Sequence, residues 1–177
     1  AISTPASRWL SALPKDDFAE GLSAIISTAQ EHGFDGFGGD CYAAAVAMNL
    51  YLFEGKGTVT AALNKAFHEE GSLVGHAAVL LDGVYWDVHC EPKDEEDIEH
   101  WGMLDPEDSS YRERAEDFGF TFTEEAATTS VLVAFTEAEL AETFSGQERF
   151  SEVIAILRRV ADGWDASMQL VIDGPDE

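Results

Sequence analysis

Residues 73–90 read LVGHAAVLLDGVYWDVHC, and this stretch decides the fold because it predicts a β-hairpin. Leu73 to Leu81 is almost continuously apolar, as in a strand that is buried on both faces. Asp82 and Gly83 follow, and Asp-Gly between two apolar runs is a strong signal for a two-residue hairpin turn. From Val84 to His89 the chain continues in strand-forming residues. The sequence therefore predicts two antiparallel strands joined at Asp82-Gly83.

The two-residue turn determines which residues face each other across the hairpin. When Leu81 lies opposite Val84, His76 lies opposite His89 and one step diagonally from Asp87. These side chains share one side of the sheet. Diagonal neighbours are ~7–8 Å apart between backbones, within reach of an imidazole–carboxylate hydrogen bond. A shift of one residue in register would separate His76 from Asp87.

A glycine-rich loop upstream ends at a cysteine that begins a helix. Residues 33–39, GFDGFGG, predict turns, and a helix is expected from about Asp40 to Phe53. Its apolar stripe begins at Cys41 and continues through Ala45, Met48 and Leu52. The dipole and free N–H groups of a helix start favour a thiolate. Asp40 is expected to be the N-cap residue.

The remaining pattern predicts further elements around this centre. Helices are expected at about 16–30, 58–70, 96–101, 136–143 and 148–164, and strands at 130–135 and 168–172. Helices cluster first and antiparallel strands follow, which is typical of an α+β domain with N-terminal helices packed on an antiparallel sheet. We expect residues 1–177 to form a single domain.

The charge of the chain restricts its partners. It has 35 acidic and 10 basic residues among 177, and a formal net charge of −25. Binding to nucleic acid or to an anionic membrane requires Lys and Arg, so direct binding to either is disfavoured. An acidic surface suits a high-salt cytoplasm, a basic partner, or a protein that mimics nucleic acid. Charge bears on solubility and association rather than on fold, so these explanations remain open.

Location is predicted from apolar runs and cysteines. No stretch approaches the ~18 consecutive apolar residues of a membrane span. Ala1 to Pro5 has neither a basic segment nor an apolar segment of the kind found in a secretory leader. Two cysteines, Cys41 and Cys90, do not form a disulfide framework, and their number suits a reducing compartment. We therefore expect a cytoplasmic protein, in which Cys90 is inert.

Three motifs resemble one family when they are taken together and in order. They are GDCYAAA at 39–45, GHAAV at 75–79 and VYWD at 84–87. This sequence of motifs resembles transglutaminase-like proteins of the papain-like cysteine enzyme superfamily, above all the small microbial and phage-type members. The resemblance covers residues 38–90, a catalytic-like core, and leaves 91–177 as an extension of the same domain.

The resemblance implies a papain-like or transglutaminase-like fold and a Cys-His-Asp catalytic triad. Cys41 would be the nucleophile, His76 the base and Asp87 the acid that orients the imidazole. The implied reaction is acyl transfer at an amide or peptide bond without a cofactor, as in a thiol protease, another hydrolase such as a deamidase, or a transglutaminase. The expected substrate is a protein or peptide, and the acidity of the chain favours a basic one.

Two positions depart from the pattern of this family. Ala78 stands where the strand motif often has a tryptophan. Asp35 stands about where papain-type enzymes have the glutamine of the oxyanion hole, and an ionised carboxylate only accepts hydrogen bonds. The backbone N–H of Cys41 is the remaining candidate donor to an oxyanion.

Other functions compete with the thiol enzyme. The same fold could serve a non-enzymatic acidic inhibitor, or a binding protein that mimics nucleic acid. A weaker alternative is a metal-dependent hydrolase, since His76, Asp87 and His89 share a surface and Cys41 would be a fourth ligand. No HxxxH or similar motif supports a metal site, and none is predicted. His89 is expected to be a polar residue at the rim.

Overall fold

A computed structural model describes residues 2–165 of the chain, and the predicted strand at 168–172 lies outside them. The described part is a mixed α/β structure with a small antiparallel sheet. Its strands are β1 (Thr58–Asn64), β2 (Gly75–Leu81), β3 (Val84–Trp86) and β4 (Ser130–Phe135). Its α-helices are α1 (Pro5–Ala12), α2 (Phe18–Glu31), α3 (Cys41–Tyr51), α4 (Lys65–Glu69), α5 (Glu95–Glu99), α6 (Ser109–Phe118), α7 (Glu124–Thr128), α8 (Glu137–Thr143) and α9 (Glu148–Asp162).

The predicted hairpin is confirmed in its turn and its register. The sheet has the order β3-β2-β1-β4, and Leu81 pairs with Val84 across the turn. Asp82 and Gly83 have φ values of 50° and 81°, as the two central residues of a type I′ turn require. The predicted extension of the second strand to His89 is wrong. The chain leaves the sheet after β3 in a turn closed by a hydrogen bond of 3.0 Å from the Cys90 N–H to the Asp87 carbonyl.

The helix predicted at 58–70 is also wrong over its first half. Residues 58–64 form β1, which pairs with β2 on one side and β4 on the other, and every residue after Thr58 in it is buried. Pairing and burial on both sides outweigh the helical preference of Ala61, Ala62 and Leu63. Helix α4 begins only at Lys65, where the Asn64 side chain accepts the N–H of Phe67 and caps it.

Helix α3 lies at the centre of the core. It packs on β1 and β2 with one side and on α9 with the other, and every residue from Cys41 to Asn49 is buried. A helix that is apolar all round is typical of such an enclosed position. The Tyr42 hydroxyl, in the first turn of α3, donates to the Leu73 carbonyl at 3.3 Å, so this end of the helix lies close to the start of β2.

The other face of the sheet is covered by α5 and by the 3₁₀ turn His100–Gly102. Ala78 and Tyr85 pack there against Ile98, with Trp101 beside them. A third cluster around Phe67 joins α4 to α6 and α7. Helices α1, α6 and α7 were not predicted from the sequence. Within residues 2–165, no helix combines the length and apolar composition of a membrane span.

Candidate active site

Asp87 organises a pair of imidazoles at the end of the hairpin. One of its carboxylate oxygens, Oδ2, lies 2.9 Å from His76 Nε2 and 2.9 Å from His89 Nδ1. The other oxygen accepts the backbone N–H of His89 at 3.0 Å. Burial opposes the ionised form, but the hydrogen bonds from His76 and His89 outweigh it and lower the pKa of Asp87 to about 2.

His76 lies between Asp87 and Cys41. Its Nε2 contacts the carboxylate, which leaves Nδ1 as the ring nitrogen available to the thiol. Burial opposes the charged ring, but the hydrogen bond with Asp87 and the proximity of Cys41 raise the pKa of His76 to about 9. The ring is therefore a cation at neutral pH, and the structure brings together the three residues predicted as a triad.

Cys41 begins helix α3 and borders a cleft of about 470 Å³. Its exposed fraction is 2%, so the cleft is its route to small molecules. The other cysteine differs in its surroundings: burial, and then the charge of Asp87, raise the pKa of Cys90 to about 12. Cys90 therefore stays protonated over the range in which proteins function, and serves as an internal reference for thiol chemistry.

Trp101 packs against the imidazole ring of His76. Its ring lies edge-on to that of His76, with 4.6 Å between centroids and an interplanar angle of 84°. The adjacent Gly102 lets the turn approach β1, because a Cβ there would meet Ser130 Oγ and the backbone of Leu63. Sequence reasoning missed this role, since nothing local distinguishes Trp101 from any tryptophan at a helix end.

Asp40 occupies the N-cap position of α3, as predicted, but its side chain makes no capping hydrogen bond. The Asp40 carboxylate instead forms an ion pair with Arg149 of α9, with 3.1 Å between Arg149 Nε and Asp40 Oδ2. The same guanidinium donates to the Gly33 carbonyl at 3.0 Å. Arg149 thus ties α9 to both ends of the loop before Cys41. It also offsets the negative charge next to the thiol.

Asp35, at the position where papain-type enzymes have an oxyanion-hole donor, stabilises the loop before α3. Its Oδ1 accepts the N–H of Phe37 at 2.9 Å in a local turn. Phe37 in turn packs edge-on to His89, with 5.2 Å between ring centroids. His89, whose side chain is half-exposed, was predicted to be a rim residue, and its hydrogen bonds to Asp87 were missed. They arise from the turn after β3, whereas the sequence predicted a continuous strand there.

The described residues contain no group of three or more His, Cys, Asp and Glu side chains arranged to hold a metal ion. His76 and His89 direct ring nitrogens to one carboxylate oxygen of Asp87. The arrangement is that of a hydrogen-bonded imidazole–carboxylate–imidazole group.

Comparisons of this chain with protein-family models, with curated protein sequences and with solved structures give no match. The chemistry of the site is therefore inferred from its own residues.

Replacing His76 with Gln should flatten the pH dependence of stability. Because folding raises the His76 pKa from 6.5 to about 9, its contribution is complete below pH 6.5 and is lost as pH rises through 9. We expect the free energy of unfolding of the wild type to fall by about 1–3 kcal/mol more than that of the variant over this window. Urea unfolding of both proteins at pH 6, 7.5 and 9 measures this, and parallel curves would contradict it.

Proposed function

We propose that this protein is a cysteine-dependent acyl-transfer enzyme that acts on amide or peptide bonds. One observation carries the proposal: the His76 ring is hydrogen-bonded through Nε2 to the buried Asp87 carboxylate and lies close enough to Cys41 for that residue to raise its pKa. A thiol beside an imidazole that a buried acid orients is the arrangement that nucleophilic catalysis by cysteine needs.

In the first half-reaction, the Cys41 thiolate attacks the carbonyl carbon of the amide. A C–S bond forms, and the C–N bond breaks as the imidazolium of His76 gives its proton to the leaving amine. The product is a thioester on Cys41 and a free amine. Asp87 keeps its negative charge throughout, and so stabilises the imidazolium before transfer and holds the orientation of the neutral ring after it.

In the second half-reaction, the neutral His76 takes a proton from the acyl acceptor. Water attacks the thioester to give a carboxylic acid, which is the outcome for a peptidase or a deamidase. An amine attacks to give a new amide, which is the outcome for a transglutaminase. In each case the C–S bond breaks and the Cys41 thiolate is regenerated beside the imidazolium.

We propose further that α3, β1, β2 and β3 correspond to a papain-like or transglutaminase-like core. The support lies in order and position. The cysteine begins a buried helix, the histidine follows a glycine at the start of a strand that packs on this helix, and the aspartate directly follows the next strand. Trp101 packs on the histidine from the other face of the sheet.

A non-enzymatic binding protein on the same fold is the second candidate. The net charge of −25 favours this candidate, because an acidic inhibitor would present carboxylates to a basic partner. The small exposed fraction of Cys41 favours it too. For this function the ion pair of His76 and Asp87 would be a structural element, and the thiol would not react.

Thiol alkylation separates the two candidates. We expect iodoacetamide to modify native Cys41 rapidly at pH 6, well below the ~8.5 at which free thiols ionise, while Cys90 stays unmodified. The reason is that an imidazolium holds its partner as a thiolate. Mass spectrometry of peptides after timed quenching locates and measures the label. The His76→Ala variant should lose the rapid reaction, and Cys90→Ala is the matched control that should keep it.

If native Cys41 reacts no faster at pH 6 than a free thiol, the enzyme proposal fails. The binding protein would then be the better assignment. A denatured sample, in which both cysteines react, shows that each can be detected.

A further inference from the structure

The cleft that Cys41 borders differs in charge from the rest of the chain. Its walls come from the first turn of α3, the segment before β2, α6, and the region from the end of α8 to Gln147. No Asp or Glu lines it, although 35 of the 177 residues are acidic. Its one charged side chain is that of Arg114. A chain this acidic thus has a cleft of the opposite sign beside its thiol.

The guanidinium of Arg114 is held in place by aromatic rings. Its Cζ lies 5.6 Å from the centroid of the Phe67 ring and 6.0 Å from that of Tyr111. Cation–π contacts of this kind position the group without neutralising it. By contrast, Arg112, two residues earlier on α6, forms an ion pair with Glu107. Arg114 forms no ion pair with a carboxylate among residues 2–165.

We propose that the cleft binds acyl substrates that carry a carboxylate, and that Arg114 is the residue that recognises it. This inference rests on the proposed function, because it assigns a substrate class to the same thiol. A guanidinium binds a carboxylate through two parallel N–H bonds, which orients the bound group as well as attracting it. The carboxylate can be the C-terminus of a peptide or an Asp or Glu side chain.

A basic substrate finds no partner in this cleft. No carboxylate lines it, and Asp40, the acidic residue next to Cys41, is already paired with Arg149. Among the residues that line the cleft, the charge therefore comes from Arg114. The overall acidity would slow the approach of an anion without preventing its binding at short range.

Two alkylating reagents of similar size test this directly. Iodoacetate carries a carboxylate and iodoacetamide does not, and both transfer their carbon to a thiolate with loss of iodide. We expect Arg114→Gln to lower the ratio of the iodoacetate rate to the iodoacetamide rate at Cys41 by about threefold to tenfold, as the loss of one nearby charge predicts. The iodoacetamide rate itself should stay within about twofold, since iodoacetamide has no charge for Arg114 to attract and His76 and Asp87 are unaltered.

Matched variants make the result specific. Arg114→Lys keeps the positive charge, so it should keep most of the wild-type ratio of the iodoacetate rate to the iodoacetamide rate. Arg112→Gln, on the same helix, should leave this ratio unchanged. Since each variant is compared through a ratio of two reagents, a general change in Cys41 access cancels. An equal ratio in wild type and Arg114→Gln overturns the inference.

Short peptides then identify the source of the carboxylate, through their ability to slow iodoacetamide labelling of Cys41. Acetylated tripeptides with a free C-terminus are compared with their C-terminal amides, and amidated peptides containing Glu with those containing Gln. Protection by the free C-terminus alone indicates a terminal carboxylate, and protection by Glu alone a side chain. Either should weaken in Arg114→Gln. If anionic and neutral peptides protect equally, the inference is wrong.

The failures of the two proposals are distinguishable. If neither reagent labels Cys41 rapidly at pH 6, the proposed acyl-transfer function fails. If iodoacetamide does so but the ratio does not depend on Arg114, that function stands and only the assignment of the substrate class fails.

Discussion

The Gly75→Ala variant is expected to lose at least about 3 kcal/mol of its free energy of unfolding, from backbone strain and overpacking together. Gly75 has φ of 153°, in a region that residues with a side chain rarely adopt. A Cβ at this position would overlap the carbonyl oxygen of Ala62 and lie 2.9 Å from the Cα of Leu63. Both are backbone atoms of β1, which is paired on both sides and cannot move away. Urea unfolding monitored by circular dichroism measures the loss.

Gly119→Ala is the matched control for this variant. Gly119 has φ of 90° at the end of α6, and a Cβ there would meet nothing within 4 Å. It should therefore cost only the ~1–2 kcal/mol of the left-handed conformation. A Gly75→Ala protein as stable as Gly119→Ala would show that β1 and β2 are not as close as described. Because His76 follows Gly75, this close approach also places the imidazole relative to α3.

The hairpin could be predicted because its information is local. The Asp82-Gly83 turn sets the pairing of the residues beside it, and the His76–Asp87 contact follows from that register. The strand at 58–64 could not be predicted in this way. Its alanines and leucine suit a helix, and only the two strands that pair with it make an extended conformation favourable.

The sequence predicted the residues of the site that lie near one another in the chain. Cys41 is distant from them in the sequence and was predicted nonetheless. That residue was identified by family resemblance and by its position at a helix start. Trp101, Arg114 and Arg149 were missed because each comes from an element that tertiary packing brings to the site. Local sequence carries no signal for such contacts. His89 was missed as a partner of Asp87 for a different reason, since the turn after β3 replaces a predicted strand.

Two of the 10 basic residues of this chain lie near the thiol. Arg149 pairs with Asp40, the residue before Cys41, and Arg114 lines the cleft that Cys41 borders. His76 adds a third positive charge at neutral pH. Arg149 is balanced by Asp40 and Glu152, and His76 by Asp87, whereas Arg114 forms no ion pair among residues 2–165. Positive groups placed in this way offset the net charge of −25 near the thiol, which favours a thiolate and an anionic substrate and so links the proposed chemistry to the proposed substrate class.

Asp87→Asn should reduce the rate of iodoacetamide labelling of Cys41 at pH 7.5 by at least about tenfold, because a His76 pKa that falls from about 9 to below its ordinary 6.5 leaves less than about a tenth of the ring as imidazolium at that pH. The amide has the shape of the carboxylate without its charge. It leaves the His76 ring buried without an anion on its Nε2 side, so burial, which lowers a histidine pKa, would dominate. An amide can also donate to Nε2, which favours the wrong tautomer for a base at Nδ1. Timed labelling and peptide mass spectrometry measure the rate.

The His89→Gln variant tests whether the labelling rate of Cys41 depends on the hydrogen bond between His89 and Asp87 as well as on the charge of Asp87. His89 lies on the solvent side, and its side chain is 51% exposed, so its removal leaves Asp87 ionised and bonded to His76. We expect at most a severalfold change in the labelling rate, because exposed charge pairs contribute little. A drop equal to that of Asp87→Asn would mean that His89 holds the carboxylate in place, and unchanged labelling in Asp87→Asn would mean that His76 needs no anion. The orienting role of Asp87 requires a large effect in Asp87→Asn and a small one in His89→Gln.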